Sequence, residues 1–324
     1  MFLKHILILY IFISVLLVNA VAFTKDAEKY VLPESEIKKY ETLNANESRL
    51  LEYKDDKSAL LLKLNQLAHI NASRKKHRQP EVLLDILASR VANKIAQDAV
   101  EGNFMGHFNL LGESPYYRYA LAGGKDHVTE NASALSSTES LPGAPLNISG
   151  YMQEAHNAFM AERAPNDGHK QNIIHPHHNF VGIGFYLHKN QFRYYEEFLD
   201  RYLVFGEFKP SVNVNTKVII PVKPKEGKHL HMVLAYYQKL PSPMSADAIT
   251  RQMQYDDFTD DLAHKILPWE LPIADAQGFS RLEFTFQKKG LYYIHIYLDN
   301  QPFTTGKAST KNKVQASGLV IVVR

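Results

Sequence analysis

Four residues have the side chains for acid–base or metal chemistry, and each sits in a distinctive local context. His107 lies in Met105-Gly106-His107-Phe108, within a stretch crowded with aromatics, and Glu130 lies in Val128-Thr129-Glu130-Asn131. Glu162 closes the apolar face of a helix expected over residues 147–163. His169 follows the break Pro165-Asn166-Asp167-Gly168, and a helix starting there turns it back toward Glu162. Two imidazoles and two carboxylates can hold a divalent cation such as zinc through ring nitrogens and carboxylate oxygens. They can trade protons if burial moves their affinities toward neutrality. They can also close an ion-pair network that only shapes a cleft. Spacing leaves all three readings open, because it matches no specific metal motif.

The elements that must position these residues fall into two regions. Leu60, Leu61, Leu64, Leu67 and Ala68 recur at helical spacing, as do Val82, Leu83, Ile86, Leu87, Val91, Ala92, Ile95 and Ala96. The stretch 102–124 reads as a long loop, broken by Gly106, Gly112, Pro115, Gly123 and Gly124 and interleaved with Phe104, Phe108, Tyr116, Tyr117 and Tyr119. Those tyrosines can line an apolar groove or fill the core. In the helix over 147–163, Tyr151, Met152, Ala155, Phe159 and Glu162 share a face and Ser149 is a plausible N-cap. Val181, Ile183, Phe185 and Leu187 alternate as in a half-buried strand, with a partner expected over 191–205. From about 210 the dominant period is two: Val218-Ile219-Ile220, then Leu230, Met232, Leu234, then Leu282, Phe284, Phe286, then Ile294, Ile296, Leu298, and a last strand over 314–323. The expected fold is α+β, an α-β-α sandwich followed by a small antiparallel β-sandwich.

Residues 1–22 read as a signal peptide: a basic start at Lys4 and His5, thirteen apolar residues to Val18, then Ala20-Val21-Ala22. Residues 23–57 form a polar lead segment with one short helix. Domains are expected over 58–208 and 209–324. The location is therefore secreted, and the Asn-x-Ser sequons at Asn46, Asn71, Asn131 and Asn147 mark a glycoprotein if the host glycosylates. A glycan on Asn131 would obstruct a cleft next to Glu130, so that site is expected to stay unmodified. The formal charge of +3 argues against a nucleic-acid partner. With no cysteine in the chain, disulfides, thiolate catalysis and cysteine-bound zinc are all excluded. His175, His177 and His178 are expected on a solvent-facing turn around Pro176. Arg118 either clamps a carboxylate or anion near His107 or forms a structural pair. The aspartates between Asp256 and Asp261 read as an acidic surface loop rather than a calcium site.

Residues 58–205 resemble the CAP superfamily, also called the SCP domain. The resemblance rests on the order of five pieces: Leu64-Asn65-Gln66 opening a helix, His107, Glu130-Asn131, Phe159-Met160-Ala161-Glu162, and Gly168-His169-Lys170-Gln171-Asn172-Ile173 leading to Val181-Gly182-Ile183-Gly184. Phe159 stands where the family usually has tryptophan. The cysteine-free, bacterial-like branch is the nearer match, and many of its members carry serine at the position of Glu162. Glu154 is a weaker substitute, since it leaves the Tyr151–Ala155–Phe159 face.

The resemblance implies a secreted binding or interaction protein. Its His107–Glu130–Glu162–His169 cleft would hold a divalent cation or shape a groove for a lipid, sterol or small apolar ligand. The β domain would meet an extracellular protein or surface partner. Two other readings stay open: a metal- or histidine-dependent extracellular hydrolase acting on peptides or esters through the same four residues, and a structural wall, matrix or envelope protein. Neither a serine nucleophile elbow nor a His-Glu-x-x-His motif occurs.

Overall fold

A computed structural model describes residues 33–252, 254–256, 259 and 261–324. The expected signal peptide lies outside the described residues, as does part of the acidic loop. The first ten elements, in chain order, are α1 (Glu34–Asn46), α2 (Lys57–Lys76), β1 (Leu83–Leu84), α3 (Ile86–Glu101), α4 (Pro115–Leu121), β2 (His127–Ser136), α5 (Pro145–Ala161), α6 (Gly168–Ile173), β3 (Phe180–His188) and β4 (Gln191–Asp200). Strands β1, β3, β4 and β2 lie side by side in that order. Alternation along β4 sends Phe192, Tyr194 and Phe198 into one core with α2 and α5. Tyr195 and Leu199 go to the other face, against Ala88, Ala92, Ala96 and Ala99 of α3. Helices therefore cover both faces, and the α+β class and α-β-α layering are as expected.

Why α3 is rich in alanine follows from β3. A Cβ on Gly182 would lie 2.4 Å from Ala88, and one on Gly184 would lie 2.1 Å from the Ala92 carbonyl carbon. Helix and strand backbones thus meet with no side chain between them. Gly184→Val must push them apart, and the expected loss is about 1–3 kcal/mol in urea unfolding. An unchanged midpoint would show that the two layers are not in this contact.

The remaining elements are β5 (Leu203–Phe205), β6 (Ser211–Val212), β7 (Lys217–Pro224), β8 (His229–Gln238), α7 (Ala246–Arg251), β9 (Leu262–Ile266), β10 (Ser280–Thr285), β11 (Gly290–Asp299), β12 (Val314–Gln315) and β13 (Leu319–Val323). One sheet runs β10-β7-β5, and the other runs β6-β13-β11-β8-β9 with β12 on β11. Val218, Ile220, Val222, Leu282 and Phe284 of the first pack on Val233, Ile294, Ile296 and Ile321 of the second. This is the expected β-sandwich, antiparallel apart from the β6–β13 pair. All described residues belong to one compact unit. Tyr116 and Tyr117 of α4 share an apolar cluster with Leu291, Tyr293 and Val320, so an aromatic seam joins the two layered regions. Among the described residues no helix is long and apolar enough to cross a membrane.

Several local expectations are corrected. The polar lead carries α1, a full helix whose Tyr40 is 1% exposed and packs in the core. Val82 to Leu84 do not begin a helix: Leu83 and Leu84 pair with β3, and Asp85 caps α3 by accepting from Ala88 N at 2.7 Å. The loop over 102–124 holds α4. Helix α5 starts at Pro145, ahead of Ser149, because proline at the first turn needs no N–H partner. Glu162 is the C-cap of α5 in extended conformation, not a member of its apolar face.

Candidate functional site

Strand β2 carries Glu130 and Asn131, whose side chains leave on opposite faces. Glu130 pairs in register with Glu197 and Asn131 with Glu196. On the α3 and α4 side, His107 Nδ1 lies 2.8 Å from Glu130 Oε1, while Arg118 Nη2 donates to Glu130 Oε2. Arg118 Nη1 also donates to the carbonyls of His107, at 2.5 Å, and Glu113, at 3.0 Å. His107, Arg118, Glu130 and Glu197 are all buried. Burial alone would raise Glu130, yet the charges of Arg118 and His107 hold its carboxyl below the usual range. Arg118 is thus the carboxylate clamp.

Glu197 is the opposite case. Burial, then the charge of Glu130 beside it, push its carboxyl well above the ordinary range, and a hydrogen bond to Glu130 favours the same protonated form. Its native pKa exceeds the unfolded value of 4.5, so the folded state holds the proton more tightly. The stability this contributes is complete below pH 4.5 and is lost as pH rises toward the native value. Glu197→Gln, which mimics the protonated acid, is expected to fold normally and to flatten that decline. Urea midpoints measured from pH 4 to 9 check this, and a decline as steep as in wild type would contradict a protonated Glu197.

The second pair lies against α5 and α6. His169 Nδ1 is 2.5 Å from Glu162 Oε1, and Glu162 Oε2 accepts from His169 N at 3.0 Å. Phe159 stacks on the His169 ring with centroids 4.5 Å apart. Asn131 ties this pair to β2 through a 3.2 Å bond from Nδ2 to His169 O, and it also donates to Glu196 at 3.0 Å. Asn131 is 1% exposed. The structure therefore brings His107 to Glu130 and Glu162 to His169, as two pairs flanking one strand. Neither pair appears in a convergent donor set of three: among the described residues that set is His175, His178 and Asp200, with donor atoms within 4.8 Å of one another. This group can hold a metal ion. The expectation that these histidines face solvent is corrected, since His178 is 2% exposed and the turn folds inward onto the end of β4.

A strap from the second region covers the His107 side. Residues 242–252 follow β8, run through α7 and cross the loop before α4. Met244 N bonds Leu110 O at 3.0 Å, and Met105 N bonds Thr250 Oγ1 at 3.3 Å. Ile249 is fully buried among Ala99, Phe104 and Tyr195. Tyr255 lays its ring 4.6 Å from that of His107, and its hydroxyl accepts from Glu130 N at 2.5 Å. A side chain on Gly112 would strike Ser242 O at 2.2 Å, so the strap lies directly on the loop backbone. Nothing in the periodicity of residues 242–255 pointed to this contact. Tyr116, Tyr117 and Tyr119 are buried core.

No family model matches the chain, and no curated protein sequence does either. Among solved structures it is similar to an extracellular protein containing a SCP domain from Bacillus anthracis str. Ames, with 16% identity and a TM-score of 0.33, over 43% of this chain and 40% of that one. It is also similar to an outer surface protein from Borrelia burgdorferi, with 20% identity and a TM-score of 0.33, over 42% of this chain and 89% of that one. Each likeness covers less than half of this chain, so the roles of its residues follow from its own geometry.

Proposed function

We propose that this is a secreted, CAP-like binding protein whose ligand site lies where the two His–Glu pairs flank β2. One observation carries the reading: both imidazoles meet their carboxylate through Nδ1. A carboxylate on one ring nitrogen fixes the ring and raises the basicity of the other, which is how protein carboxylates prepare histidines for metal. His107 and His169 then offer Nε2 to a divalent cation, zinc being the best match to imidazole donors, while Glu130 and Glu162 hold the rings. Secretion is proposed from the leader-like residues 1–22. Binding is favoured over turnover because both Glu130 oxygens are already engaged, by His107 and Arg118, and the Tyr255 ring lies against His107. That leaves Glu130 poorly placed to accept a proton from an attacking water.

Calorimetric zinc titration of the mature protein, beside a His107→Ala/His169→Ala variant, tests this. The variant is expected to bind about one ion fewer per chain while keeping its circular dichroism. Equal uptake by both proteins would remove the cation from this cleft and turn the search to apolar ligands.

A further inference from the structure

We propose that His175, His178 and Asp200 form a second cation site, separate from the cleft, for a first-row divalent metal ion such as Zn2+. The three residues come from two places. His175 and His178 sit on the turn between α6 and β3, and Asp200 ends β4. The turn is fixed from beneath by Arg74, which is wholly buried and donates to the carbonyls of Ile173 at 2.6 Å, His175 at 3.1 Å and His178 at 3.1 Å. Tyr202 adds a 2.7 Å bond from its hydroxyl to His177 O. A site built on so many backbone anchors is preorganised.

The hydrogen-bond chain then fixes the protons. Asn131 spends its Nδ2 on His169 O and Glu196, so its Oδ1 must accept, and it accepts from Asn172 Nδ2 at 2.9 Å. That turns Asn172 Oδ1 toward His178 Nε2, 2.9 Å away, and an oxygen there requires a donor. A neutral His178 therefore carries its proton on Nε2. Its Nδ1 lies 2.7 Å from Asp200 Oδ1, a hydrogen-bond contact closed by a proton when His178 is charged, and a metal ion taking both atoms would displace that proton. His175 Nδ1 is buried with no hydrogen-bond partner among the described residues, and its ring centroid lies 4.6 Å from that of His178. His127 holds the other Asp200 oxygen through Nδ1 at 3.2 Å, which sets the plane of the carboxylate. Two imidazole nitrogens and one carboxylate oxygen make the three-ligand set that suits zinc or another first-row divalent ion with a position left open. Asn172 is the outer partner that orients His178. An all-oxygen site would suit calcium or magnesium instead.

The test uses the mature full chain carrying His107→Ala/His169→Ala, so that any ion in the cleft is already removed. Zinc calorimetry and cobalt(II) absorption are then compared across that background, the background with His175→Ala, and the background with His177→Ala. The background is expected to bind about one ion, His175→Ala to abolish it, and His177→Ala to retain it. Asn172→Ala, outside the ligand set, is expected to weaken binding by about 10–100-fold. Absence of uptake by the folded background, unchanged uptake with His175→Ala, or loss with His177→Ala would each overturn the site. Failure of the cleft proposal shows separately, as equal zinc uptake by wild type and background.

Discussion

Arg118→Met is expected to cost about 3–5 kcal/mol in urea unfolding, the range found when one partner of a buried ion pair is removed. Arg118 is the guanidinium against which Glu130 is held ionised, with Glu197 Oε1 also 3.8 Å away. Without it a fully buried carboxylate would face a second carboxyl across the β2–β4 pair, and His107 O and Glu113 O would lose their donor. The loss is not intrinsic to apolar replacement. Adding Glu130→Gln to Arg118→Met removes the stranded charge, so the double variant should recover a substantial part of it. A single variant within about 1 kcal/mol of wild type would show that Glu130 is neutral in the native protein and that the clamp is not an ion pair.

The second large effect is expected at Arg74. Among the described residues its guanidinium has no salt-bridge partner, and burial lowers its pKa to about 10, with Asp200 and Tyr202 partly opposing. What holds it is carbonyl oxygen, including Pro80 O at 2.8 Å from Nε. Charged donors to such acceptors contribute about 1.5–3 kcal/mol each. Removing a buried cation offsets part of that sum, so Arg74→Met should lose about 4 kcal/mol. Faster amide hydrogen exchange should be concentrated in residues 173–179. A uniform increase across the chain, with no excess in that turn, would show that Arg74 stabilises α2 rather than the histidine turn.

How far the sequence revealed this molecule depends on how local each signal was. The layers of the first sheet were readable because alternation in β3 and the alanine row of α3 are local patterns, and the glycines at 182 and 184 record their contact. His107 with Glu130, and Glu162 with His169, were readable as neighbours from motif order. The role of Glu162 in receiving His169 N was not, because it depends on α5 ending at Ala161. Helix α1 was obscured because Tyr40 and Asn44 are its only buried residues. The His178–Asp200 contact spans a hairpin, and the side of the turn that faces inward is set by Arg74, a residue about a hundred positions earlier. Tyr255 reaches Glu130 across 125 residues, a distance over which no periodicity carries information.

That last contact gives the molecule a history as well as a shape. A chain made from its N-terminus completes β4 at Asp200 before Tyr255 exists, about 55 residues later. At ~5–20 residues per second the interval is roughly 3–11 s. During it the His107 side of β2 stands open, and afterwards the strap closes it. A cation held by the proposed cleft would therefore enter most readily while the chain is still being made, whereas one added to the finished protein would have to pass the strap.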